Sequence, residues 1–149
     1  MSPCVRETID IDATPEEVWD VVMDPARLGD WVSAHRKVTG APETPLDPGD
    51  SFDQVLNVAG KSFEVEWKLL ESDRAKQAVW EAEGPRKTHA DVRYELKPQN
   101  GGTRFDYVND FSLPGGPLKA VANGISGRPA KLAARKSLKQ LKKLLENGG

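Results

Sequence analysis

Very few residues in this chain have the right types and spacing for chemistry. There are two histidines, His35 and His89, and one cysteine, Cys4, far from both in sequence. That set is too poor for a histidine and cysteine zinc site, so no metal and no cofactor is expected. Cys4 stands without a base beside it and is a weak nucleophile candidate. No serine lies in a nucleophile-elbow pattern, and Gly101-Gly102 reads as a turn, not a phosphate loop. Glu64 and Glu66 share one strand face, opposite Phe63, Val65 and Trp67. If the apolar face is inside, these acids are outside and cannot serve as a cavity acid and base. His89 shares a face with Asp91, Arg93 and Glu95 and is expected to be exposed. His35 follows a short helix and could stand at a cavity mouth. The informative residues are polar ones on otherwise apolar faces: Gln54 between Phe52 and Leu56, Tyr94 between Val92 and Leu96, and Asn109 between Tyr107 and Phe111. A buried amide or phenol needs a hydrogen-bond partner, from the protein, from water or from a ligand.

The elements that must position these residues follow from periodicity. Val5 to Ile11 alternates and predicts a first strand. Thr14-Pro15-Glu16-Glu17 is a helix start, with a hydroxyl cap, proline at the first position and acids at the positive end of the helix dipole. Asp24-Pro25 stops that helix and caps a second short one through Leu28 to Trp31. His35 to Thr39 is a candidate strand, and the proline-rich stretch from Gly40 to Asp50 a loop. Dense alternation follows. Phe52, Gln54, Leu56 and Val58 share a face, as do Phe63, Val65, Trp67 and Leu69. Gln77 to Glu83 is another strand, although Trp80, flanked by Ala78 and Ala82, leaves its direction open. Thr88, Ala90, Val92, Tyr94 and Leu96 line one face of the next. Gln99-Asn100-Gly101-Gly102 signals a hairpin turn into Thr103, Phe105, Tyr107, Asn109 and Phe111.

The chain closes on a long helical stretch, Gly116 to Glu146. Leu118, Val121, Ala122 and Ile125 share one face, and Leu132, Leu138, Leu141 and Leu145 carry an apolar stripe onward. Gly124, Gly127 and Pro129 predict a kink near Ser126–Pro129. Residues 117–149 hold eight basic side chains against Glu146 alone, so the rest of this chain of net charge −2 is acidic. A basic helix on an acidic body either keeps its lysines in water or meets an anionic membrane, a nucleic-acid surface or an acidic protein.

At 149 residues the chain is expected to be one domain, 1–149, with a real core. It lacks an apolar run long enough to span a membrane and a secretory start, and the lone cysteine suits a reducing cytoplasm. The near-neutral balance gives no reason to expect nucleic acid as a partner. An antiparallel sheet with one apolar face must bury it, and only the C-terminal helix is long enough to cover it. Strands wrapped around one helix can leave a ligand pocket between them.

This order of elements resembles the START-like, or helix-grip (SRPBCC), superfamily. Ile11 to Asp20 resembles the junction of its first strand and first helix, and Asp24 to Trp31 its second helix. Leu46 to Phe52 is similar to the loop entering its long hairpin, and Gly101 to Phe105 to the turn into its last strand. Leu113-Pro114-Gly115-Gly116 resembles the approach to the long helix in the polyketide cyclase/dehydrase-like branch, near the group named after a carbon monoxide dehydrogenase subunit. The resemblance implies an α+β helix-grip fold, with a curved antiparallel sheet of six or seven strands around the C-terminal helix. It also implies a cavity for a small hydrophobic molecule, such as a lipid or polyketide. On that basis the cavity candidates are Trp31, His35, Gln54, Leu56, Trp67, Tyr94, Tyr107, Asn109, Phe111, Val121 and Ile125. Three functions stay open: a carrier or sensor, a cyclase- or dehydratase-like enzyme, and an accessory protein docking through its basic helix.

Overall fold

A computed structural model describes residues 4–33, 35–43, 46–58, 61–84, 89–112 and 127–146. Strand β1 (Cys4–Ile11) leads into helix α1 (Pro15–Val22), a short 3₁₀ turn (Pro25–Arg27) and helix α2 (Leu28–Trp31). Six strands follow: β2 (His35–Thr39), β3 (Ser51–Val58), β4 (Lys61–Asp73), β5 (Gln77–Glu83), β6 (His89–Gln99) and β7 (Gly102–Ser112). Helix α3 (Gly127–Glu146) is the last described element. The expected first half of that helix, with the Leu118 to Ile125 face, lies outside the described residues; of the expected kink at Ser126–Pro129, Gly127 to Pro129 form the first turn of α3.

The strands form one antiparallel sheet in the order β1-β7-β6-β5-β4-β3-β2. From β2 to β7 each strand pairs with the next in sequence; short turns join β4 to β5 and β6 to β7, and the longer stretch 40–50 joins β2 to β3. At Asn100-Gly101 the chain takes φ values of 50° and 82°, the left-handed pair that a two-residue hairpin needs and that Asn-Gly supplies. β1 then closes on β7, Val5 opposite Asn109 and Ile11 opposite Thr103. Their approach is tight at Gly102, where a Cβ would stand 2.4 Å from the Ile11 carbonyl oxygen.

The alternation read from the sequence sets the faces. Phe52, Val65, Leu69, Val92, Tyr94, Leu96 and Phe105 are buried inside, while Glu64 and Glu66 are exposed. Trp80 also points inward, together with Ala78 and Ala82. The small alanines leave room for the indole.

α1 begins as its residues predict. Thr14 Oγ1 accepts from the Glu17 N–H at 3.1 Å, and Glu17 Oε1 accepts from the Thr14 N–H at 3.2 Å, a reciprocal capping box. Asp24 Oδ1 caps the next turn by accepting from the Ala26 N–H at 3.0 Å. Thr14→Ala is expected to lower stability by about 1 kcal/mol in urea denaturation, the usual cost of a lost N-cap; an unchanged midpoint would show that the cap contributes nothing.

α3 is held across β1 and against α2. Ala134, Leu138 and Leu141 are buried, and Leu145 packs partly against the core. The expected stripe is corrected at one place: Leu132 is 58% exposed. It lies two residues before Ala134, about 200° round the helix from the buried face. The helix's described basic groups do two things. Arg135 pairs with Glu7 of β1, and the Lys142 ammonium donates to the Asp10 carbonyl at 2.8 Å and meets Glu146 at 2.6 Å. Glu146 in turn accepts from the Asp12 N–H at 2.8 Å, and these partners hold its carboxyl below the usual range. Lys131, Lys136, Lys139 and Lys143 stay exposed. No described helix is long and apolar enough to cross a membrane.

Candidate ligand cavity

Between the inner face of the sheet, the short helices and α3 lies a cavity of about 140 Å³. Its sheet wall is built from Phe52, Gln54, Leu56, Trp67, Trp80, Val92, Tyr94, Tyr107 and Asn109. Val22, Met23, Pro25, Leu28, Trp31 and Val32 close one side, and Ala133, Ala134, Ser137 and Leu138 of α3 the other. Two serines fasten those sides together: Ser137 Oγ accepts from the Ser33 N–H at 2.9 Å, and Ser33 Oγ donates to the Ala133 carbonyl at 3.1 Å.

The aromatic residues brace one another. Trp31 meets Tyr94 and Phe105 edge to face, with centroids 6.2 and 6.5 Å apart. Trp80 meets Phe52 and Trp67 in the same way, at 5.7 and 6.3 Å. Such geometry suits ring quadrupoles and fixes ring orientation.

One polar string runs through the wall. The Trp67 indole N–H donates to Gln54 Oε1 at 2.7 Å, and Gln54 Nε2 stands 2.8 Å from His35 Nδ1. An indole nitrogen only donates, so the Gln54 oxygen must face it. The amide nitrogen therefore faces His35, which must accept at Nδ1 and carry its proton on Nε2. Burial lowers the His35 pKa, and Arg36 beside it lowers it further. A protonated ring would turn a second donor towards the Gln54 amide and break the string.

The model of one family covers residues 2–146, the family described as polyketide cyclase / dehydrase and lipid transport. The chain belongs to that family. An uncharacterized protein of Mycobacterium tuberculosis H37Rv is 24% identical over 140 residues, which is 94% of this chain and 96% of that protein. Two solved structures share the fold: the Zhui aromatase/cyclase from Streptomyces sp. R1128 and a protein of Thermus thermophilus. The first has a TM-score of 0.79 at 15% identity, covering 99% of this chain and 95% of its own. The second has a TM-score of 0.78 at 18% identity, covering 99% of both. This is the START-like, helix-grip architecture, and the family's description and the apolar cavity agree on a hydrophobic ligand.

Of the sequence candidates in this polyketide cyclase/dehydrase family member, Trp31, Gln54, Leu56, Trp67, Tyr94, Tyr107 and Asn109 line the cavity. His35 stands one layer behind, on Gln54. Phe111 falls on β7 with its side chain outside the described residues, and Val121 and Ile125 are outside them altogether. Alternation does not reveal the lining from the short helices, nor Ala133, Ala134 and Ser137. The available signal was small residues on the inward face of α3, where side chains too short to reach the sheet leave space.

The wall's titratable groups hold their protons. Burial pushes the Tyr107 hydroxyl up to about 12, although the Asn109 amide, which donates to it at 3.0 Å, favours ionisation. Burial and the neighbouring Tyr107 raise Tyr94 further still. The outer face carries a separate group, Glu81, His89 and Asp91, with ligand-type atoms within 4.8 Å of one another. It belongs to the opposite side of the sheet from the cavity.

His35 makes stability depend on pH. Its folded pKa lies below the unfolded value of 6.5. Between those two values the unfolded chain binds more protons, so stability falls as pH drops below about 6.5. Chemical denaturation from pH 7.5 to 5.5 is expected to show this decline, and His35→Asn to flatten it. An identical slope in both proteins would mean that other groups cause it.

Proposed function

We propose that this protein binds a small hydrophobic molecule between sheet and C-terminal helix and acts as its carrier or sensor. The observation that carries this is the cavity wall, apolar and aromatic with a few uncharged polar groups. General acid–base catalysis favours a group titrating near the working pH. Both tyrosines are shifted away from that range, and His35 lies behind the wall. The test is native mass spectrometry of gently purified protein, followed by organic extraction. A co-purified apolar molecule of fixed mass is the expected result. Protein that emerges empty and takes up no apolar probe would overturn it.

A cyclase- or dehydratase-like activity is the second reading. It is favoured by Asn109, whose Oδ1 is buried without a partner beside the Tyr107 hydroxyl. Holding a flexible polyketone in a reactive shape is catalysis by orientation and needs few special groups. Gln54, Tyr94 and Asn109 would be its polar contacts, with His35 behind them on Gln54. Substitutions there that leave turnover of an identified substrate unchanged would remove it. The exposed lysines of α3 favour a third role, docking on an acidic partner or membrane.

A further inference from the structure

We infer that the cavity selects an uncharged molecule about the size of one aromatic ring, whose acceptor oxygen is met by the indole N–H of Trp31 or Trp80. This rests on the hydrophobic-ligand reading and narrows it by size, charge and polar group.

Size comes from the volume. A cavity of about 140 Å³ is comparable with an engineered apolar cavity of about 150 Å³ that takes up benzene. A long acyl chain would have to widen the wall or leave most of its length outside.

Charge comes from the lining. Among the described residues no Asp, Glu, Lys, Arg or His lines the cavity. The nearest such group on the polar string, His35, is held towards its neutral form. Among the described side chains of α3, Arg135 and Lys142 are tied to β1 and Lys131, Lys136, Lys139 and Lys143 are exposed. Against the described lining a carboxylate would enter without a counter-ion, and an unpaired buried charge is penalised heavily.

The polar group comes from two of the three orphaned atoms among the described residues; the third, Asn109 Oδ1, would take a donor. Trp31 and Trp80 are 2% and 5% exposed, both line the cavity, and both indole nitrogens are buried without a hydrogen-bond partner. Trp67, by contrast, is satisfied by Gln54. An indole nitrogen donates only, so the missing partner is an acceptor. Neither N–H is accessible to water in this arrangement, so a ligand oxygen that shifts the braced ring and reaches its N–H relieves the cost of leaving that donor unpaired.

The experiment uses three probes of one shape: cumene, which is all hydrocarbon; acetophenone, which adds a carbonyl; and benzoate, which adds a charge. Their affinities are measured by calorimetry at pH 7 for the wild type, Trp31→Phe and Trp80→Phe. Cumene and acetophenone are expected to bind, and benzoate at least about a hundredfold more weakly than acetophenone. At least one of the two substitutions is expected to weaken acetophenone about fivefold relative to cumene, the scale of one neutral hydrogen bond. The ratio separates a lost hydrogen bond from a loosened wall, which would weaken both probes together. Benzoate binding as well as acetophenone, or ratios unchanged in both variants, would overturn the inference while leaving hydrophobic binding intact. If no probe binds the wild type, the hydrophobic-ligand reading fails and the inference with it. Should a variant not fold, the wild-type comparison of benzoate with acetophenone still decides the charge selection.

Discussion

Phe105→Ala is expected to cost about 3–5 kcal/mol, the range for removing a fully buried ring. Phe105 is inaccessible to solvent and lies on the inner face of β7. Its ring meets Trp31 edge to face at 6.5 Å and Tyr94 at 5.4 Å in a tilted contact. Both neighbours are part of the cavity wall, so the ring that Phe105 presents backs the ligand site as well as the core. Domains of this kind are stable by only about 5–15 kcal/mol, so the substitution removes a large share. Phe105→Leu keeps most of the volume and is expected to cost less than half as much. Urea denaturation of the two variants measures the difference. A loss below about 1.5 kcal/mol for the alanine variant would contradict the packing described.

Much of the scaffold was legible because strand faces obey a two-residue period. Phe52, Val65, Leu69, Val92 and Phe105 are buried where alternation placed them, and the Asn100-Gly101 turn has the backbone its residues favour. Capping at Thr14 and Asp24 was equally visible, since short polar side chains beside proline have few other uses. The site was legible only in part. Gln54 stood out as an amide on an apolar face, but its partners, Trp67 and His35, come from two other strands and depend on register. Trp80 was ambiguous because the alanines beside it carry too little hydrophobicity to orient a strand. Leu132 misled because leucine counts as apolar wherever it falls, while the buried face of α3 is set by Ala134, Leu138 and Leu141. Space itself leaves little trace in a sequence. Ala133, Ala134 and Ser137 line the cavity by being small, and small residues read equally well as helix formers or close-packing positions.

Ala134→Phe is expected to weaken binding of an apolar probe by about ten- to a hundredfold while leaving the fold in place. Ala134 lines the cavity from α3 and is itself buried. A phenylalanine there keeps the backbone helical, and its ring is the size of molecule that a cavity of about 140 Å³ can hold. The ring then occupies the space a ligand would use. Burying it contributes about 1.5–3 kcal/mol, and imperfect fit costs about 1–3 kcal/mol, so the two nearly cancel and the denaturation midpoint moves little. A ligand must now expel that ring. Losing about 1.5–3 kcal/mol of burial at about 1.4 kcal/mol per decade gives the stated factor. Ala134→Val fills less of the space and should weaken binding less. Titration with a fluorescent apolar probe, alongside urea denaturation, reads both quantities. Wild-type affinity in a folded Ala134→Phe protein would mean that the ligand binds elsewhere, because no molecule of that size shares the cavity with the ring.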